Sequence, residues 1–122
     1  MATTVLVVDD DPAIAEAIAQ LLNEEGYQVR RALDGLEALA EIESTHPDVV
    51  LSDITLPRMN GIELTRKLQK KGDRTPIVLM SAVYSGVDLP GVRFMPKPFD
   101  LDELLHLVDK SIKKGPPKSM SA

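Results

Sequence analysis

Apolar positions along the chain keep two rhythms, short continuous runs and helical stripes, and the two alternate. Thr4–Val8 is a β-branched run that predicts a buried strand, and Asp11-Pro12 behind it supplies an N-cap and a first-turn proline. A helix follows in which Ile14, Ile18, Leu21 and Leu22 share a face, closed by Gly26. Tyr27–Ala32 reads as a second strand. Asp34 and Gly35 mark the next turn, and Leu36, Leu39 and Ala40 make a helical stripe running to about Ser44, where His46-Pro47 breaks it. Asp48–Ser52 reads as the third strand, and Gly61 to Lys70 as a helix with Ile62, Leu64 and Leu68 as its apolar set. Gly72 and Pro76 bracket the turn into the fourth strand, Ile77–Ser81, and Val92–Met95 is a shorter fifth. Asp100 and Glu103 read as a capping box opening a last helix with Leu101, Leu104, Leu105, Val108 and Ile112.

Strands alternating with helices predict an α/β fold, a doubly wound five-stranded parallel sheet covered on both faces. The simplest strand order is the flavodoxin-like 2-1-3-4-5, which places a ligand outside the carboxyl ends of the strands, where the first and third strands meet. One connection departs from the pattern. Ala82–Gly91 has ten residues, among them Gly86, Pro90 and Gly91, and no stripe at helical spacing, so the fourth helix is expected to be missing or reduced to about one turn. A mobile Val83–Pro90 loop would then cover the sheet thinly, with Val87 and Leu89 available to a partner.

Length and composition narrow the function without naming it. The 122 residues suit one domain, and 43% hydrophobic with 27% charged residues is ordinary for a globular protein. The absence of Cys removes disulfides, thiolate metal sites and thiol nucleophiles, and fits a cytoplasmic setting. A net charge of −5 argues against non-specific nucleic-acid binding, and no apolar run approaches the ~20 residues of a membrane span. MATTVLVVDD lacks the regions of a secretory signal. Residues 1–114 read as the domain, and 115–122, with two prolines and little to bury, as a disordered tail.

Chemistry gathers at the strand ends. Asp9, Asp10 and Asp11 follow the first strand, Asp53 the third, Ser81 ends the fourth and Lys97 follows the fifth. Taken singly, Asp11 is a helix cap, Asp53 a turn residue and Lys97 a surface lysine; together they bring carboxylates, a hydroxyl and an ammonium to one sheet edge. Asp9, Asp10 and Asp53 in proximity would repel one another, and a hard divalent cation such as Mg²⁺ removes that cost. His46 and His106 have no ligand-spaced partner and read as surface residues.

VLVVDDDP at 5–12, VVLSDITLPRMNG at 49–61, VLMSA at 78–82 and FMPKPFD at 94–100 resemble the successive signatures of the receiver domain of two-component response regulators. The resemblance covers residues 3–114. It implies that Asp53 is the phosphoacceptor, that Asp10 ligates Mg²⁺ with Asp9 as its acidic partner, and that the Thr55 backbone carbonyl also reaches the metal. Ser81 would hydrogen-bond the phosphoryl group, Lys97 would pair with it, and Phe94 would be the aromatic switch. Pro98 matches a proline whose preceding peptide bond is cis in the family.

The resemblance also implies a histidine kinase or histidine phosphotransfer protein as donor and a downstream target protein as partner; the net charge and the lack of a long apolar run add the expectation of no nucleic acid and no membrane. The chain would be a self-phosphorylating signalling domain, not an enzyme with multiple turnover. Receivers commonly use the face containing the fourth helix, so a monomer, or a dimer avoiding that face, is expected, with Val87 and Leu89 ordered by phosphorylation as one outcome. Two other readings compete. A haloacid-dehalogenase-type phosphatase needs a second Asp two residues past the nucleophile, where this chain has Thr55. A degenerate receiver would act only as an interaction module, although every reactive position is filled.

Overall fold

The computed structural model describes residues 3–115. Five strands, β1 (Thr4–Val8), β2 (Gln28–Ala32), β3 (Val49–Asp53), β4 (Ile77–Ser81) and β5 (Val92–Pro96), form one parallel sheet in the order β2-β1-β3-β4-β5. The helices are α1 (Pro12–Glu24), α2 (Gly35–Thr45), α3 (Gly61–Lys70) and α4 (Leu101–Lys114). The expected doubly wound α/β architecture and strand order are therefore present. The disordered tail expected from 115 onward lies outside the described residues except for Gly115, which caps α4 and accepts at its carbonyl from Arg93 Nη1 at 2.7 Å.

Side chains alternate along each strand, so the sheet carries two cores. Leu6, Val8, Val50, Ile77 and Leu79 face α2 and α3, meeting Ala38, Ile42, Leu64 and Leu68. Val5, Val7, Leu51, Val78 and Met80 face α1 and α4, meeting Ala15, Ile18, Leu22, Leu104 and Val108. The central strands β1, β3 and β4 are buried on both sides, which is why their sequences read as unbroken apolar runs.

Three helical faces differ from those the periodicity predicts. In α1, Ile14 is 39% exposed while Ala15 and Ala19 are buried beside Ile18 and Leu22. In α2, Leu36 is 45% exposed and Ala40 is exposed, and the buried line is Gly35, Ala38 and Ile42. In α4, Leu101 is exposed. In α1 and α2 the reason is the same: small residues mark where a helix comes closest to its neighbours, and an apolar count gives them too little weight; in α4 Leu101 is the first residue of the helix, and the buried line begins at Leu104. The reciprocal capping box also moves. Asp100 caps α4 by accepting from the Glu103 amide, while the two-way arrangement occurs at α3 between Asn60 and Glu63.

Among the described residues no helix lies between β4 and β5. The reason is one of reach. A five-residue strand is about 16 Å long, and a helix returning that distance at 1.5 Å per residue needs about 11 residues before any turn is counted. Ala82–Gly91 has ten, and crosses as irregular chain. Val87 and Leu89, expected to be available to a partner, are half-buried against the α2/α3 core together with Val92 and Phe94. With no helix to shield the sheet there, the crossover's own apolar side chains turn inward, and Val83 and Tyr84 are the ones left in solvent.

Candidate functional site

Three strand ends converge on an acidic cluster. Asp9 continues β1, its amide still donating to the Ala32 carbonyl of β2 at 3.1 Å. Asp53 closes β3, which lies between β1 and β4, and the Ile54 amide continues that pairing to the Met80 carbonyl at 2.9 Å. One carboxylate oxygen from each of Asp9, Asp10 and Asp53 lies within 4.8 Å of the others. Lys97 reaches in from the end of β5, its Nζ 3.1 Å from Asp53 Oδ2 and 3.6 Å from Asp9 Oδ2. Its backbone amide donates to the Ser81 carbonyl at 2.8 Å, and the Lys97–Pro98 peptide bond is cis, as the resemblance implies.

The cluster is graded in burial: Asp9 is 1% exposed, Asp53 half-buried and Asp10 in solvent. Asp9 Oδ1 accepts from the Asp11 amide at 2.9 Å, while Oδ2 is buried without a hydrogen-bond partner. Burial pushes the Asp9 carboxyl above the usual aspartate range; the Asp11 amide and the Lys97 ammonium oppose this, and Asp53 and Asp10 add to it. A buried carboxylate oxygen lacking a donor, beside two further carboxylates, fits a hard cation with oxygen ligands. Asp11 is not part of this set, because its side chain accepts from the Ala13 and Ile14 amides and caps α1.

The other expected residues take distinct places. Thr55 is exposed and its amide donates to Asp53 Oδ1 at 3.3 Å. Ser81 is buried at the end of β4, and its Oγ accepts from the amides of Val83 at 3.0 Å and Tyr84 at 2.8 Å, so it is engaged with its own loop. Phe94 lies one strand further out, half-buried on the α2/α3 core. His46 and His106 are exposed and are not members of the acidic cluster.

The sequence reading missed the groups that hold the β3–α3 loop against the site. Asp34, buried at the N-cap of α2, accepts from Arg58 Nε at 2.9 Å and also from Nη2. Gly35 packs on Met59 so closely that any Cβ would overlap its carbonyl oxygen, and a Cβ on Gly61 would lie 2.6 Å from the Asp53 carbonyl oxygen. Both glycines permit a close backbone approach, one to Met59 and one to Asp53 itself. A usable signal existed in Asn60-Gly61 with Glu63 following, a cap pattern placed directly after the LPRM segment.

The family model described as the response regulator receiver domain matches residues 5–109. Among curated proteins the chain is similar to the response regulator MprA of Mycobacterium bovis (strain BCG / Pasteur 1173P2), at 38% identity over 97% of this chain and 54% of that protein. It is equally similar to MprA of Mycobacterium tuberculosis (strain ATCC 25618 / H37Rv), at 38% identity over 97% and 54%. The chain spans about half the length of these relatives. Among solved structures it resembles the receiver domain of the Francisella response regulator 1452, with TM-score 0.83, 34% identity, and 92% of this chain and 98% of that one covered. A CheY-like receiver domain protein from Methanospirillum hungatei JF-1 aligns with TM-score 0.84 and 30% identity, covering 94% and 97%. Among the described residues no helix is long and apolar enough to cross a membrane.

Proposed function

The chain belongs to the receiver domain family of response regulators, and from that premise we propose that it accepts a phosphoryl group on Asp53 and passes the change to a protein-interaction surface. The observation that carries this reading is the Asp53 carboxylate at the sheet edge, with Lys97 Nζ 3.1 Å from one oxygen and the Asp9 and Asp10 carboxylates alongside. An Asp53 oxygen forms the new bond to phosphorus as the bond to the donor breaks. With a histidine kinase or histidine phosphotransfer protein as donor, the broken bond is phosphorus to imidazole nitrogen, and the electron pair leaves on the imidazole.

Asp9, Asp10 and Asp53, with the Thr55 carbonyl, are the groups that would hold Mg²⁺. When bound, the ion supplies positive charge to the phosphoryl oxygens and offsets the repulsion among the carboxylates. Lys97 is a second cation held in place, so acceleration comes from positioning and charge rather than from proton transfer. Ser81 would then donate its hydroxyl to a phosphoryl oxygen, Lys97 would pair with another, and Phe94 would follow the displaced β4 end. Thr55 stands where a phosphatase of similar chemistry needs its second carboxylate, which favours a retained acyl phosphate over turnover.

Intact-mass measurement after treatment with a small phosphodonor tests the proposal. One phosphoryl group should be gained with Mg²⁺ present, and none by Asp53→Asn. Equal labelling of that variant would overturn the assignment, and continuous release of phosphate over many turnovers would point to a phosphatase.

A further inference from the structure

The loop between β3 and α3 contains a strained residue with no part in the chemistry described so far. The Met59 amide donates to the Pro57 carbonyl at 2.7 Å, closing a three-residue turn on Arg58, whose φ of 64° is the rare and costly sense of such a turn. A residue other than glycine keeps that backbone only where its surroundings hold it there. Here the holder is Asp34. Its buried carboxylate accepts from the Glu37 amide at Oδ1, across 2.8 Å, which leaves Oδ2 fixed in place to accept from Arg58 Nε at 2.9 Å and from Nη2. Gly35, next in the chain, has no room for a Cβ beside the Met59 carbonyl oxygen, so the turn rests on the first residues of α2.

The same loop reaches Asp53. Its base is closed by the Gly61 amide, which donates to the Ile54 carbonyl at 2.9 Å, and the Thr55 amide donates to Asp53 Oδ1 at 3.3 Å. Lys97 Nζ holds the other oxygen, Oδ2, at 3.1 Å. The two oxygens of Asp53 are therefore set by different parts of the protein, Oδ2 from the end of β5 and Oδ1 from the loop that Arg58 fastens. The Thr55 contact is already long for an N–H···O bond, so a small shift of the loop loses it.

We propose that Arg58 is a positioning residue for Asp53: clamped to Asp34, it seats the β3–α3 loop so that the Thr55 amide holds the carboxylate at one angle; this rests on the phosphoacceptor reading of Asp53. Without the clamp the strained turn relaxes, the Thr55 amide moves off Oδ1, and the carboxylate turns about its Cβ–Cγ bond with Lys97 as its remaining tether. Reaction then waits on an orientation that the clamped protein already has. The effect falls on the rate of phosphoryl acceptance more than on stability, because the Arg58 side chain is 62% exposed.

The rate of Asp53 modification by acetyl phosphate at saturating Mg²⁺, followed by intact mass on the full chain, tests the clamp. Arg58→Ala should react about tenfold more slowly, within the ~100-fold that a misplacement of about 1 Å can cost. Asp34→Asn, which keeps a capping oxygen, should slow the reaction to a similar extent, and the double variant should be no slower than the slower single one. Arg58→Lys, with the charge but not the planar fork, should recover part of the rate. In ¹H–¹⁵N spectra the Thr55 amide proton should move upfield in Arg58→Ala and in Asp34→Asn, as a lost hydrogen bond requires. Lys71→Ala is the control: it cuts the 3.0 Å ion pair to Glu43, which also joins α2 to the α3 end, and should react at the wild-type rate. A wild-type rate in Arg58→Ala or in Asp34→Asn overturns the clamp, as do single losses that multiply in the double variant, or equal slowing by Lys71→Ala. Failure of the wild-type chain to be modified, or equal modification of Asp53→Asn, overturns the phosphoacceptor reading instead, and the clamp with it.

Discussion

Lys97 donates from Nζ to Oδ2 of Asp53 across 3.1 Å, so the end of β5 is joined to the end of β3 over the top of β4. On the phosphoacceptor reading of Asp53, removing the ammonium would leave the carboxylate able to react but would cut the link that carries a change at Asp53 outward. Lys97→Ala should still be modified at Asp53, and amide NMR spectra should then show little response around Ser81 and Phe94. A full wild-type response in that variant would contradict the role given to Lys97.

Asp10 and Asp11 are adjacent but should fail differently. Asp10→Ala removes an exposed carboxylate of the cluster and should weaken Mg²⁺ binding strongly in a metal titration. Asp11→Ala removes the α1 cap and should lower stability by ~1 kcal/mol, with metal affinity little changed. The opposite ranking, by titration and melting curves, would mean that the metal is held elsewhere.

Gly61 lets α3 start against the Asp53 carbonyl. Gly61→Ala should cost about 1–3 kcal/mol, as overpacking does, and slow Asp53 modification because the clash displaces Asp53's own backbone. Gly86→Ala is the control: nothing lies within 4 Å of its added Cβ, so urea melts should stay close to wild type. Equal stability of the two variants would show that the β3–α3 approach is not tight.

The Glu37 amide, and after it the Arg58 guanidinium, hold the Asp34 carboxyl below its ordinary value of 3.8. The folded value is depressed, so the stability it contributes is fully present above pH 3.8 and is lost as pH falls below it through the lower folded value. Arg58→Ala should cost less than about 1 kcal/mol near neutral pH, because the guanidinium is largely exposed. Asp34→Asn keeps a capping oxygen and should flatten the acid limb of stability against pH. Urea denaturation between pH 2 and 7 would show this, and an unchanged acid limb would remove Asp34 from the account.

Much of the molecule was legible because its signals are local. Unbroken apolar runs mark β1, β3 and β4, which are buried on both faces, and a ten-residue crossover containing Gly86, Pro90 and Gly91 leaves room for one helical turn at most. The residues past each strand end were legible for a related reason: in a parallel sheet every strand points the same way, so the ends must share an edge. Asp9, Asp10, Asp53 and Lys97 were therefore placed together from the order of elements, before any distance was known.

Orientation and partnership needed the tertiary structure. Which line of a helix faces the sheet is decided by the closest backbone approach, so Gly35 and Ala15 take places that Leu36 and Ile14 were expected to fill. Val87 and Leu89 turn inward because an uncovered sheet face lies beneath them, a fact set by residues far away in the chain. The burial that leaves Asp9 Oδ2 without a donor, and the turn that occupies the Ser81 hydroxyl, belong to the same class. Periodicity reports what each segment prefers by itself, whereas the side a residue faces and the atom it bonds depend on surfaces that form only when distant segments pack.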